Sequence, residues 1–148
     1  MSGSKVYDGF GKDTQVAALC WRLRKTGKIQ ILLITSRNTG RWIPPKGWPI
    51  DGKKPHEAAA IEAFEEAGVE GKAAAEPLGF YKYFRDPDYD FKRSSEAFIY
   101  PLRVKGFAKS FKERGERKVR WFSQKQAAQR VREAGLKRII RAFDPDDL

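Results

Sequence analysis

The chain has 148 residues, 41% hydrophobic and 33% charged, the size and composition of one globular domain that can bury a core without disulfide or metal staples. It contains no run of about 18 apolar residues that could span a bilayer, so no membrane partner is expected. Its net charge of +11 excludes little but favours anionic partners such as phosphate esters or nucleic acid.

The start, Met1-Ser2-Gly3-Ser4-Lys5, lacks the apolar stretch of a secretory signal, and a cytoplasmic location is the expectation. Residues 1–13 show no periodicity and read as a loose arm before a single domain over 14–148. Thr14 to Leu23 and Ile29 to Thr35 are rich in Val, Leu and Ile and flank Lys25-Thr26-Gly27-Lys28, which reads as a hairpin. Cys20 lies inside the first of these runs. As the single cysteine it cannot form an internal disulfide, and its apolar neighbours predict a buried thiol rather than a reactive one. Gly40 to Ile43 reads as a short extended piece closed by Pro44 and Pro45.

A helix is expected over 55–67, with Pro55 in its first turn and Gly68 at a left-handed stop. His56, the single histidine, argues against a histidine-rich zinc site and against a serine triad unless it is itself the base, and beside Pro55 at the helix start it reads as a surface residue. Ala74 to Phe84 and Ala97 to Val104 read as strands around a polar loop holding Asp86-Pro87-Asp88 and Lys92-Arg93. Lys118 to Phe122 is a further strand. Ser123-Gln124-Lys125-Gln126 has capping-box spacing and opens a helix expected to end at Gly135, with a second helical segment over Leu136 to Phe143. The element order predicts an α/β (α+β) fold, a mixed β-sheet sandwiched between helices.

On a helical wheel Ala60, Ala63, Phe64 and Ala67 share one face, and Glu62, Glu65 and Glu66 the opposite side. Each like-charge pair at this spacing destabilises a helix by roughly 0.2–0.5 kcal/mol, and the acids crowd the negative end of the helix dipole. A bound divalent cation reverses the sign of that cost, whereas a solvated surface gains nothing from it. Spacing alone leaves scattered surface glutamates as an equal alternative.

The stretch from Gly47 to Val69 resembles the Nudix box, G-x5-E-x7-R-E-U-x-E-E-x-G-U with U apolar: Gly47, Glu62, Ala63, Glu65, Glu66, Gly68 and Val69 fall in register. Two positions depart from it, Lys53 for the first Glu and Ile61 for the Arg, a pair that in the family helps to orient the catalytic acid. Ala17 to Arg22, Leu32 to Arg37, Arg41-Trp42-Ile43 and Arg117-Lys118 with Trp121-Phe122 are similar to strands of the diphosphoinositol polyphosphate phosphohydrolase branch, which also handles dinucleoside polyphosphates.

The resemblance implies a magnesium-dependent (or manganese-dependent) hydrolase of phosphoanhydride bonds. It implies that Glu62, Glu65 and Glu66 bind metal and activate water, that the Gly47 carbonyl is a further ligand, and that a later-loop acid contributes, Glu113 or Glu116, with Glu116 preferred. Arg37, Arg41, Lys46, Lys82, Arg85, Lys92, Arg93, Arg117 and Lys118 are candidate phosphate ligands, which as a group suit a small molecule with many phosphates. Trp48, Tyr81, Tyr83 and Tyr89 are candidates for stacking a base. Two other readings compete. One is a basic domain that binds RNA, supported by Arg130, Arg132, Lys137, Arg138 and Arg141. The other is a Nudix-like fold that binds its ligand without catalysis, motivated by Lys53 and Ile61.

Overall fold

The computed structural model describes residues 10–84 and 94–148. The strands are β1 (Thr14–Leu23), β2 (Ile29–Thr35), β3 (Trp42–Ile43), β4 (Lys46–Gly47), β5 (Val69–Ala73), β6 (Gly79–Phe84), β7 (Ser94–Phe107) and β8 (Val119–Ser123). The helices are α1 (Pro55–Ala67), α2 (Gln124–Arg130) and α3 (Ala134–Ala142), followed by a 3-10 turn at Pro145–Asp147. One mixed sheet holds the strands: β1 and β7 run parallel at its centre, from Thr14↔Glu96 to Trp21↔Arg103, and the other pairings are antiparallel.

Alternation along β1 builds two cores. Ala17, Leu19 and Trp21 face the side covered by α2 and α3, where they join Ile31, Leu33, Ile99, Phe122, Leu136 and Ile140. Val16, Ala18 and Cys20 face α1, packing with Leu32, Ile34, Leu102 and the alanines Ala58, Ala59, Ala63 and Ala67. The sheet is thus sandwiched between helices, as its element order predicts. Cys20 is fully buried, and desolvation pushes its thiol well up from the ordinary range, which makes it a packing residue.

Several elements differ from the sequence expectation. The segment expected as one strand over Ala74 to Phe84 is a turn through Glu76-Pro77 followed by β6, because Pro77 cannot donate to a ladder. The preceding β5 escapes a periodicity reading because Glu70, Gly71 and Lys72 are all exposed. Gly135 does not end a helix. α2 stops at Arg130, Val131 is extended, and Gly135 lies inside α3, where a Cβ would sit 3.2 Å from that of Tyr81. The expected arm over 1–13 lies outside the described residues up to residue 9. Its last part is anchored, with Phe10 stacked on Phe98 at 4.6 Å and the Gly11 N–H donating to Thr14 Oγ1 at 2.9 Å. The expected loop at Asp86 to Arg93 lies outside the described residues.

One departure from regular pairing positions the site. β1 pairs with β2 only from Cys20↔Leu32 to Leu23↔Ile29; nearer its start the same edge takes β4 at Val16↔Gly47 and Ala17↔Lys46. β2 meanwhile continues against β3 and β8. A cleft opens where the two strands part.

Candidate active site

α1 is rotated relative to its helical wheel. Glu66 is among its buried residues, only 5% exposed, while Phe64 is 39% exposed. Four buried alanines let the helix approach the sheet closely, and a phenylalanine on that face would hold it off. The rotation carries Glu66 toward β4, where its Oε1 accepts the Lys46 N–H at 3.3 Å. One turn earlier, Glu62 lies against Gly47: a Cβ built on that glycine would meet the Glu62 Cδ at 2.3 Å. Gly47 is therefore glycine because a carboxylate occupies the space a side chain would need.

The Glu62 and Glu66 carboxyls lie close enough to share a proton, and burial raises the proton affinity of both. Burial, then the Glu62 contact, pushes Glu66 up to about 8, against the downward pull of Arg117. Glu62 is raised too, first by burial, against the lowering contact with Glu66, and also by the charges of Glu65 and Glu113, with Lys112 pulling the other way. Glu65 is half-buried on the adjacent face, and its backbone carbonyl accepts the Glu113 N–H at 2.9 Å.

That bond is one of two that strap the β7–β8 loop across the end of α1. The Ala108 N–H donates to the Gly68 carbonyl at 2.8 Å, and the Phe111 ring covers Gly68, whose φ of 70° is the left-handed stop expected from sequence. The strap brings Glu113 rather than Glu116 toward the acidic pair. Glu113 accepts from Arg117 Nε at 2.8 Å with its side chain 12% exposed, whereas Glu116 turns outward and accepts from Arg37 Nη1 at 3.2 Å. Arg117 is held on three sides, by Glu113, by the Thr35 carbonyl at 3.0 Å and by Glu66 at 4.0 Å.

Glu66 forms part of the wall of a cleft of about 210 Å³ also lined by Ser36, Arg37, Asn38, Arg41, Lys46 and Arg117, with Gln15 and Tyr83 at its floor. Four of the basic residues expected to bind phosphate therefore converge. Burial pushes the Lys46 ammonium down, partly offset by Glu66, and the group lies 4.9 Å from the centre of the Tyr83 ring. Each arginine is already matched by an acid: Arg37 by Glu116, Arg117 by Glu113, and Arg41 by Glu133 at 3.0 Å. The cleft is thus less positive than its cations alone suggest. The Glu133 partner was not singled out by its sequence context.

Other expected ligands are elsewhere. Lys82 is exposed on β6 opposite Glu96, and the Lys118 side chain is exposed while its backbone clips to Thr35. Arg85, Lys92, Arg93 and Tyr89 lie outside the described residues. Tyr81 and Tyr83 are core residues rather than an open stacking platform, and Trp48 is 43% exposed. At the two positions that depart from the box, Lys53 is exposed and Ile61 half-buried. The start of α1 is capped instead by Glu57, which accepts the Lys54 N–H at 2.8 Å.

Among the described residues no three His, Cys, Asp or Glu side chains form a ready-made cation cage. The donor set nevertheless fits a hard cation that keeps most of its waters. It consists of a buried and a half-buried carboxyl pressed together, a third acid between them along the helix and a glycine backbone beside them, and the cost of burying charge on Glu62 and Glu66 is what such a cation would relieve.

A family profile described as "NUDIX domain" matches residues 13–143. A human protein named diphosphoinositol polyphosphate phosphohydrolase 3-alpha is 30% identical over 126 residues, 84% of this chain and 72% of its own. Nudix hydrolase 13, mitochondrial, of Arabidopsis thaliana is 30% identical over 78% of this chain and 60% of its own. Among solved structures, a C. elegans Ap4A hydrolase binary complex superposes with a TM-score of 0.66 at 19% identity, covering 86% of this chain and 92% of that one. The E. coli dihydroneopterin triphosphate pyrophosphohydrolase gives 0.64 at 12% identity, over 90% of this chain and 96% of that one.

Proposed function

From the premise that this chain belongs to the Nudix family and is a Nudix-type pyrophosphohydrolase, we propose that it catalyses magnesium-dependent hydrolysis of a phosphoanhydride bond in a small polyphosphorylated substrate, such as a dinucleoside polyphosphate or a diphosphoinositol polyphosphate. The observation that carries this reading is the junction at β4: the Glu62 and Glu66 carboxyls meet beside Gly47, and Glu66 opens onto a cleft walled by Arg37, Arg41, Lys46 and Arg117. An acidic pole beside a basic wall suits a diphosphate group whose reacting end needs a cation and whose other phosphates need donors.

Glu62, Glu65 and Glu66 would hold the metal, with the Gly47 carbonyl and a loop acid as further donors; Glu113 stands nearer for that role than Glu116. When bound, magnesium neutralises phosphate oxygens and acidifies water. Glu66 or Glu62, freed of its proton when the cation binds, would accept the proton of the attacking water. The guanidinium groups of Arg37, Arg41 and Arg117 bind non-bridging oxygens through paired N–H donors, and Lys46 adds a point charge.

The test is incubation with magnesium and a panel of nucleoside diphosphate derivatives, dinucleoside polyphosphates and inositol pyrophosphates, with released phosphate species measured. Turnover of polyphosphorylated substrates that stops on chelation is the expected result. Turnover of the mononucleotide derivatives alone would refute the substrate class.

A further inference from the structure

We propose that Glu133 is a positioning residue that holds the Arg41 guanidinium in the orientation that receives a substrate phosphate, an inference that rests on reading the cleft as a phosphate site. The Arg41 backbone is fixed first, its carbonyl accepting the Ser36 N–H at 2.8 Å. Its side chain forms part of the cleft wall, and Nη1 lies 3.0 Å from Glu133 Oε2. The contact is a close ion pair without hydrogen-bond alignment, so the carboxylate restrains the planar guanidinium by charge at short range in a largely buried setting.

Glu133 is not among the residues lining the cleft, and its side chain is 8% exposed. It reaches Arg41 because the chain breaks between α2 and α3. Val131 and Glu133 are extended, and α3 restarts at Ala134 with Gly135 seated against Tyr81 of β6. A continuous helix would carry residue 133 onward by 100° per residue and lose that placement. The break therefore delivers a carboxylate to an arginine that also lines the cleft.

Sign separates positioning from simple charge or packing. Replacing Glu133 by Gln removes a negative charge near the cleft, which by the field alone would tighten anion binding. Lost positioning weakens it. The experiment uses the full chain and two readouts: KM and kcat on the polyphosphorylated substrate turned over fastest, and calorimetric binding of inorganic tripolyphosphate without metal. Glu133→Gln is expected to raise KM and the tripolyphosphate Kd about tenfold, the scale of one oriented charge-assisted contact, with kcat changed less than about twofold.

Glu133→Asp should recover part of the loss, and in an Arg41→Gln background Glu133→Gln should add nothing further. If Glu133→Gln does not fold, Arg41→Lys, which keeps charge but not the planar fork, should weaken tripolyphosphate binding similarly. Unchanged or tighter binding in Glu133→Gln, an additive double variant, or a wild-type chain that does not bind tripolyphosphate would overturn the proposal. Absent turnover with intact tripolyphosphate binding would instead refute the catalytic reading and leave the binding arm to decide this one.

Discussion

The Glu66 carboxylate accepts the backbone N–H of Lys46 at 3.3 Å, tying the last turn of α1 to β4 one residue before the glycine that makes room for Glu62. That bond joins the acidic helix to the basic cleft. It explains why a two-residue strand matters: β4 pairs with β1 on one side and receives the helix acids on the other.

Gly47→Ala tests the junction with a single methyl group. Its Cβ would sit 2.3 Å from the Glu62 Cδ, but the obstacle is the end of a flexible side chain, which can swing away. Stability should fall by less than about 1 kcal/mol, within the ordinary range of single substitutions. Turnover should fall more than about tenfold, because misplaced groups lose the advantage of orientation. Thermal melts and initial rates measured together check this, and a variant with wild-type rates would show that Glu62 need not lie where it does.

Stability of the metal-free protein should depend on pH in a specific direction. Glu66 has a folded-state pKa of about 8 against an ordinary 4.5, and Glu62 is raised as well. The folded protein thus binds more protons than the unfolded chain between those values. The contribution is fully present below pH 4.5 and is lost as pH rises through about 8. The melting temperature should fall across that window without metal, and the fall should lessen with magnesium, which binds the deprotonated carboxylates. A metal-free melting temperature that rises from pH 5 to pH 8 would contradict it.

Arg117→Gln removes the cation that pulls Glu66 downward. The acid limb of the pH–rate profile should then move to higher pH, alongside a loss of substrate affinity. An unmoved limb would place the titrating group elsewhere.

Gly68→Ala asks how firmly the β7–β8 loop is strapped to α1. A side chain at φ 70° costs roughly 1–2 kcal/mol, and its Cβ would also meet the Phe111 ring at 2.5 Å. Denaturant melts should show a loss of at least that size, together with slower turnover as Glu113 and Arg117 are displaced. A loss below that range would mean the loop adapts freely.

Local rules made much of this legible in the sequence. Pro55 and Gly68 bound α1, Ser123 and Gln126 form the capping box of α2, and the Val, Leu and Ile runs mark the first hairpin, because each signal is written in neighbouring residues. The box spacing also marked Glu62, Glu66 and Gly47. Rotation of α1 was not legible, since Phe64 outweighs Glu66 on any hydrophobic scale while the contact that turns Glu66 inward comes from β4, twenty residues away. The same holds for Glu113 over Glu116, which a backbone bond to Glu65 decides, and for Glu133, which reaches Arg41 only through the break after α2.

The most direct test compares wild type with Glu66→Gln on a polyphosphorylated substrate with and without magnesium. Wild type should release phosphate species only with the cation, and Glu66→Gln should lose about 10²–10⁴-fold in rate, the contribution typical of a positioned general base, while melting cooperatively. A Glu66→Gln enzyme that works at the wild-type rate would contradict the account.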